Sequence, residues 1–62
     1  MNLTAAEWQI LAKLAEGKSN KAIASERGTA PVTVRDQVES ILHKLGVKNR
    51  TEAAAVYLKA LL

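Results

Sequence analysis

The 62-residue chain contains no cysteine, no phenylalanine and a single proline, and Trp8 and Tyr57 are its only aromatic residues. The absence of cysteine excludes both a disulfide framework and a thiolate metal site. No apolar run approaches the roughly 20 residues of a membrane span, and no apolar segment typical of a signal peptide follows Met1. These absences predict a small cytoplasmic domain without membrane contact, whose core consists of Ala, Leu, Ile and Val side chains.

Patterns typical of β-strands are nearly absent, and apolar residues recur at helical spacing instead. Thr4 and Glu7 form a capping box in front of a first helix, and Gly17 is placed to end that helix. Three further helices are predicted, the second over about 20–27, the third over about 31–45 and the fourth over about 50–61. The fold class is therefore all-α, a compact four-helix domain that occupies residues 1–62.

The second and third helices are separated by only three residues, Gly28-Thr29-Ala30. A short helix, a tight turn and a longer helix that opens with Pro31 make the layout of a helix-turn-helix, whose second helix lies in the major groove of DNA. The formal charge of +3 and the pI of about 9.6 are compatible with a nucleic-acid partner. The pattern favours recognition of double-stranded DNA.

Side chains suited to catalysis or to metal binding are scarce. The chain has a single histidine, His43, and lacks a Ser-His-Asp or paired-carboxylate set that could converge in so small a fold. His43 also has no partner at metal-ligand spacing. We therefore expect a binding module rather than an enzyme, with no metal and no cofactor.

A resemblance to a known family rests on motifs at fixed offsets along the chain. They are Leu3-Thr4-x-x-Glu7, Gly17-Lys18-Ser19-Asn20-Lys21-x-Ile23-Ala24, Pro31-x-Thr33-Val34-Arg35, Ile41-Leu42-x-Lys44-Leu45-Gly46-Val47 and Asn49-Arg50-Thr51-Glu52-Ala53. With these motifs the chain resembles the helix-turn-helix domain of the LuxR/FixJ (GerE or NarL) family of bacterial transcription regulators. The resemblance implies sequence-specific binding of duplex DNA and dimerisation through the fourth helix.

The resemblance also implies that this domain is the C-terminal part of a longer regulator. An N-terminal receiver domain, as in response regulators, or a ligand-sensing domain would then control dimerisation. Because Met1 directly precedes the opening motif, the sequence leaves open whether the chain is a fragment or a free-standing member.

By the same resemblance, the third helix carries the residues that contact DNA bases. Arg35, Asp36 and Glu39 would hold the base-edge positions, where arginine suits guanine and a carboxylate can accept a hydrogen bond from cytosine N4. The alternatives are an intrahelical pair between Arg35 and Glu39 and, for the two acids, a role in orienting Arg35 or solvating the helix. Five residues would contact phosphate without reading sequence: Lys18, Asn20, Lys21, Thr33 and Lys44.

The predicted fourth helix is apolar nearly all round, and beyond Glu52 only Lys59 is charged. An apolar second face on a small domain predicts self-association, with Val56, Lys59 and Ala60 at the interface of a homodimer. The expected partner is then an inverted-repeat operator whose half-sites lie about 10 bp apart. The alternative is an Ala-rich helix that merely exposes methyl groups.

Departures from the family pattern weaken two parts of this interpretation. Ala30 stands where the family commonly has Ser, so the third helix should lack a side-chain cap. Arg27 and Thr29 occupy positions that are usually apolar, which predicts looser or rearranged packing around the turn.

The acidic residues of the third helix support an alternative function. Asp36 and Glu39 bring negative charge towards phosphates, as expected of a LuxR-like fold repurposed as a protein–protein interaction module with weak or no DNA binding. A second alternative is the related promoter-reading domain of a sigma factor. The Asn49–Ala53 motif and the apolar fourth helix fit LuxR-like proteins better than that domain.

Overall fold

Four helices make up the fold in the computed structural model, which describes residues 2–62. They are α1 (Ala5–Ala15), α2 (Asn20–Arg27), α3 (Pro31–Leu45) and α4 (Arg50–Ala60). No strand occurs among these described residues, so the all-α prediction is confirmed. Helices α2 and α3 have the predicted bounds, and α4 ends one residue before the predicted limit because Leu61 is its C-cap.

Side-chain caps hold the first turns of α1 and α2. Thr4 Oγ1 accepts a hydrogen bond from the Glu7 backbone N–H at 3.1 Å, and Glu7 Oε1 accepts from the Thr4 N–H at 2.9 Å. This reciprocal pair is the predicted capping box. Ser19 Oγ accepts from the Ala22 N–H at 3.1 Å and caps α2. Each cap satisfies a backbone donor that a helix start otherwise leaves unpaired.

Helix α3 begins without such a cap. Ala30 is its N-cap residue and makes no side-chain hydrogen bond, as its departure from the family pattern predicts. The missing cap costs about 1 kcal/mol relative to serine. Pro31 partly compensates, because its fixed φ and its lack of an N–H suit the first helical position.

The start of α4 differs in one detail from a capping box. Asn49 is the N-cap residue, and its Oδ1 accepts from the Glu52 N–H at 2.9 Å. The Glu52 carboxylate, however, accepts from the N–H of Lys48 at 2.8 Å and not from that of Asn49. The bond therefore orders the loop residue that precedes the cap.

Gly28 makes the tight turn between α2 and α3 possible. Its φ of 69° lies in the left-handed region, which side chains with a Cβ disfavour. The N–H of Thr29 then reaches back to the Ala24 carbonyl at 2.9 Å, which satisfies one of the last acceptors of α2. The chain leaves α2 and enters α3 within three residues, as a helix-turn-helix requires.

The core is aliphatic and receives side chains from all four helices. Its buried members are Ile10, Leu11, Leu14, Ile23, Ala24, Val34, Val38, Ile41 and Ala53. Helix α1 packs mainly against α4, and α2 packs mainly against α3. Trp8 and Tyr57 lie at the edge between α1 and α4, with ring centroids 6.2 Å apart and a tilt of 53°. This core buries one face of α3 and leaves the other face to solvent.

Arg27 and Thr29 show how the turn tolerates polar residues at usually apolar positions. Arg27 is half-buried, and its Nη1 donates to Gln9 Oε1 of α1 at 2.9 Å. Thr29 is exposed. A polar link between α2 and α1 therefore accommodates Arg27, whereas Thr29 faces solvent.

Candidate nucleic-acid interface

The exposed face of α3 lies opposite its buried residues. Val34, Val38 and Ile41 point into the core, and successive residues on a helix are about 100° apart. The exposed residues of α3 are Pro31, Val32, Thr33, Arg35, Asp36, Glu39, Ser40, His43 and Lys44. They include all three residues that the sequence predicts to read bases, so α3 brings those side chains to one surface.

The predicted base-reading residues differ in their partners. Arg35 Nη2 lies 3.4 Å from Asp36 Oδ1, and the two side chains are 62% and 67% exposed. The alternative pair between Arg35 and Glu39 is not formed. Glu39 is exposed and makes no hydrogen bond or ion pair with residues 2–62. The Asp36 carboxylate thus lies beside the guanidinium, and the carboxylate of Glu39 stays open to solvent.

Lys44, a predicted phosphate contact, pairs with a buried carboxylate. Its Nζ donates to Glu7 Oε1 at 2.8 Å, and Ser40 Oγ lies 3.3 Å from Glu7 Oε2. Glu7 is only 8% exposed. The bonds from Lys44 and from the Thr4 N–H lower the pKa of Glu7 to about 2, against the opposing effect of burial. Glu7 thus caps α1 and holds α3 in place at the same time.

Two other predicted phosphate contacts also have protein partners. Lys18 Nζ lies 2.7 Å from Glu26 and 3.3 Å from Glu16, and these carboxylates raise the pKa of Lys18. The Asn20 side-chain carbonyl accepts from Arg50 Nη1 at 2.9 Å. Arg50 also donates to the Lys18 carbonyl at 2.9 Å, so these groups tie the start of α4 to the start of α2.

Lys21 and Thr33 complete the predicted phosphate set. Both are exposed, and neither side chain makes a hydrogen bond or an ion pair within the described part of the chain. Lys21 lies in the first turn of α2 and Thr33 in the first turn of α3. Of the five predicted phosphate contacts, these two have polar groups with no competing partner among residues 2–62.

Val32 is an exposed residue that the sequence interpretation does not include in the site. It lies in the first turn of α3 with a 50% exposed side chain. An exposed aliphatic group there could contact the methyl group of thymine. The signal was available in the sequence, since Val32 precedes Asp36 by one helical turn and therefore shares its face.

Helix α4 exposes the predicted dimer residues together with two leucines. Lys59 and Ala60 are exposed and Val56 is half-buried. Leu58 and Leu61 are 52% and 65% exposed. Beside them an open groove of about 450 Å³ runs between α1 and α4, lined by Trp8, Gln9, Ala12, Tyr57, Ala60 and Leu61. The apolar surface of α4 is thus larger than the three residues named from the sequence.

Residues 2–62 contain neither a membrane-spanning helix nor a metal site. None of the helices there combines the length and the apolarity that a membrane span requires. The same residues contain no group of three or more His, Cys, Asp or Glu side chains arranged to hold a metal ion.

Two carboxylates that pair with lysines make the free energy of unfolding depend on pH in the acidic range. Besides Glu7, Glu26 has its pKa lowered to about 2, first by Lys13 at 2.6 Å and then by Lys18. Both pKa values lie below the ordinary value of 4.5. The stabilisation they supply is therefore complete above about pH 4.5 and is lost as the pH falls towards 2.

We expect the free energy of unfolding to decrease between about pH 4.5 and pH 2, as measured by urea unfolding at each pH. The substitution Glu7→Gln should flatten this decrease, because the folded state then lacks one carboxylate that resists protonation. Glu39→Gln is the matched control, since it removes an exposed carboxylate that has no partner in the described part of the chain. An unchanged slope in the Glu7→Gln protein would contradict the assigned role of Glu7.

Comparison with protein families identifies the group to which this fold and this surface belong. The family described as bacterial regulatory proteins, luxR family, matches residues 1–57. The chain belongs to this LuxR family. Membership confirms the resemblance drawn from the motifs and favours it over the sigma-factor domain. The helix-turn-helix of α2 and α3 is accordingly that of a LuxR-family regulatory protein.

Relatives of this LuxR-family domain include much longer proteins. The HTH-type transcriptional regulators MalT of Yersinia pestis (strain Pestoides F), Yersinia pseudotuberculosis (serotype O:3, strain YPIII) and Serratia proteamaculans (strain 568) are each 41% identical to it over 51 residues. The match covers 82% of this chain and 6% of each relative. The chain therefore corresponds to a small part of these regulators.

Proposed function

We propose that this domain binds duplex DNA with sequence specificity, as part of a bacterial transcriptional regulator in the cytoplasm, and catalyses no reaction. The observation that carries the proposal is the position of Arg35 on the exposed face of α3, whose opposite face is buried. A helix of 15 residues is about 22 Å long, and the major groove, about 12 Å wide, admits such a helix. In this arrangement α3 is the recognition helix.

Arg35, Asp36 and Glu39 face the base edges in this proposal. The contact between Arg35 and Asp36 is long and exposed, and pairs of this kind contribute about 0–1 kcal/mol. A bidentate bond from arginine to guanine O6 and N7 discriminates by about 1–3 kcal/mol. Because the second value is larger, Arg35 would exchange or share its partner when guanine is present. Val32 would add an apolar contact at the start of the helix.

Phosphate contacts would come first from Lys21 and Thr33, whose polar groups have no competing partner among residues 2–62. Lys18, Asn20 and Lys44 would make weaker contacts, because each already bonds to another side chain. Affinity for DNA without the preferred sequence should then be low, since few phosphates are neutralised. The dependence on salt should nevertheless be measurable, because each neutralised phosphate releases counterions.

Dimerisation through α4 would place two recognition helices on successive turns of one duplex. Val56, Lys59 and Ala60 would lie at the interface, and the exposed Leu58 and Leu61 would extend it. An isologous pair reads an inverted repeat, with half-sites about one helical turn apart. In a longer regulator, a receiver or ligand-sensing domain would control whether the two copies pair.

A second candidate function is docking of a protein partner on the exposed face of α3. The observation in its favour is the pair of carboxylates, Asp36 and Glu39, on the surface that would approach phosphates. Arg35 and the exposed Lys21 favour DNA. The two functions differ in whether salt-sensitive binding to duplexes occurs.

The proposal is tested by selecting bound duplexes from a randomised pool and sequencing them. We expect an inverted repeat with a guanine in each half-site, and binding that weakens as salt concentration rises. Single half-sites in place of repeats would contradict dimerisation through α4 while supporting DNA binding. No enrichment, together with no salt-sensitive binding at low salt, would contradict DNA binding and favour the protein partner.

A further inference from the structure

We propose that Glu39 selects cytosine in each half-site, next to the guanine that Arg35 reads. This inference rests on the proposed DNA binding and names the base composition of the operator. It starts from the partners of the five glutamates in the chain. Four of them form an ion pair or accept a hydrogen bond from another protein group: Glu7, Glu16, Glu26 and Glu52. Glu39 has no partner among residues 2–62 and lies on the exposed face of α3.

The chemistry of the bases determines which partner suits Glu39. A carboxylate only accepts hydrogen bonds at neutral pH. In the major groove guanine presents the acceptors N7 and O6, thymine presents O4, and adenine presents an acceptor beside its donor. Cytosine presents the N4 amino group, which donates. A carboxylate at the base edges is therefore satisfied by cytosine and repelled by guanine and thymine.

The spacing on α3 places the two readers close together on the duplex. Glu39 follows Arg35 by four residues, a rise of about 6 Å. One base step along a strand is about 3.4 Å, so the two contacts fall within about two base pairs of each other. Asp36 differs from Glu39 because its carboxylate already lies beside the Arg35 guanidinium, at 3.4 Å. The inferred half-site thus combines a guanine for Arg35 with a nearby cytosine for Glu39.

The Glu39 carboxylate affects mainly how well the domain distinguishes one DNA sequence from another. Its charge repels the phosphates of every duplex, so it lowers affinity for DNA in general. Only a duplex with cytosine at the right position supplies a hydrogen bond that offsets the repulsion. Glu39 should therefore raise the ratio of specific to non-specific binding. This gain comes mainly from weaker binding to other sequences and less from tighter binding to the best site.

The test repeats the selection from a randomised duplex pool with Glu39→Gln and Glu39→Ala proteins. In the unsubstituted domain we expect cytosine to be preferred roughly tenfold over other bases, within about two base pairs of the guanine. Glu39→Gln should replace cytosine by adenine, because glutamine bonds to adenine N6 and N7. Glu39→Ala should remove the preference. Both substitutions should raise affinity for unrelated DNA and leave the guanine preference intact.

Glu16→Gln is the control for base preference, because it removes the same charge at the exposed end of α1, outside α3. It does not control for affinity, because it also releases Lys18 from an ion pair. It should leave every base preference unchanged. If both Glu39 variants keep the cytosine preference, or raise affinity equally for all sequences, the inference is overturned while the proposed DNA binding stands. If the unsubstituted domain enriches no duplex, DNA binding fails, and the cytosine preference is overturned with it. Thermal unfolding of each variant verifies that the fold is retained.

Discussion

Replacing Arg35 by alanine is expected to abolish the guanine preference and to reduce affinity for the selected operator by at least roughly 30-fold. Each bidentate contact with guanine discriminates by about 1–3 kcal/mol, and a dimer loses two of them, or about 2–6 kcal/mol. The stability of the fold should change little, because the side chain is 62% exposed. The measurement is a titration of labelled operator duplexes, with guanine present or replaced.

Arg35→Lys is the conservative control for this prediction. Lysine keeps the positive charge but lacks the planar fork that bonds to O6 and N7 together. Its dependence on salt should therefore match that of the original domain, whereas its preference for guanine should fall. If Arg35→Ala retained the full guanine preference, the base-reading role of this residue would be wrong.

Replacing Ile41 by alanine is expected to remove a large part of the free energy of unfolding of the domain. Ile41 is 0% exposed and lies in the core on the buried face of α3. An isoleucine-to-alanine change in such a site costs about 2–5 kcal/mol. A domain of 62 residues has only about 3–9 kcal/mol available. Urea unfolding should therefore show a far lower midpoint, and DNA binding should be lost because α3 is no longer held in place.

Val32→Ala is the matched control on the same helix. Its side chain is half exposed, so the free energy of unfolding should change by no more than about 0.5 kcal/mol. Equal unfolding midpoints for the two variants would contradict the burial of Ile41. They would also remove the basis for placing Arg35 and Glu39 on the exposed face, since that face is defined by its opposition to the core.

The helices could be predicted from the sequence because their ends depend on neighbouring residues. Thr4 and Glu7, and likewise Ser19 and Ala22, are three residues apart and bond directly. The left-handed turn at Gly28 favours a residue without a Cβ. The start of α4 is harder to predict, because the Glu52 carboxylate bonds to Lys48, the residue before the N-cap.

The site was predicted in part. The face of α3 followed from helical periodicity, so the exposure of Arg35, Asp36 and Glu39 could be predicted. Whether these residues contact DNA stays a prediction. Both carboxylates lie within reach of the Arg35 guanidinium on the helix. Periodicity therefore could not show that Arg35 contacts Asp36 and not Glu39.

The positions of the helices, the buried face of α3 and the family to which the motifs point all follow from the amino-acid sequence. They depend on bonds between neighbouring residues and on helical periodicity. The ion pairs and hydrogen bonds between residues far apart in the sequence follow only from the packing of the helices. Lys44 and Glu7 are 37 residues apart, and Arg50 and Asn20 are 30 residues apart. Such pairs form only when packing of the core brings separate helices within bonding distance. That packing leaves Lys21 and Glu39 as the exposed charges near the proposed interface that have no partner among residues 2–62.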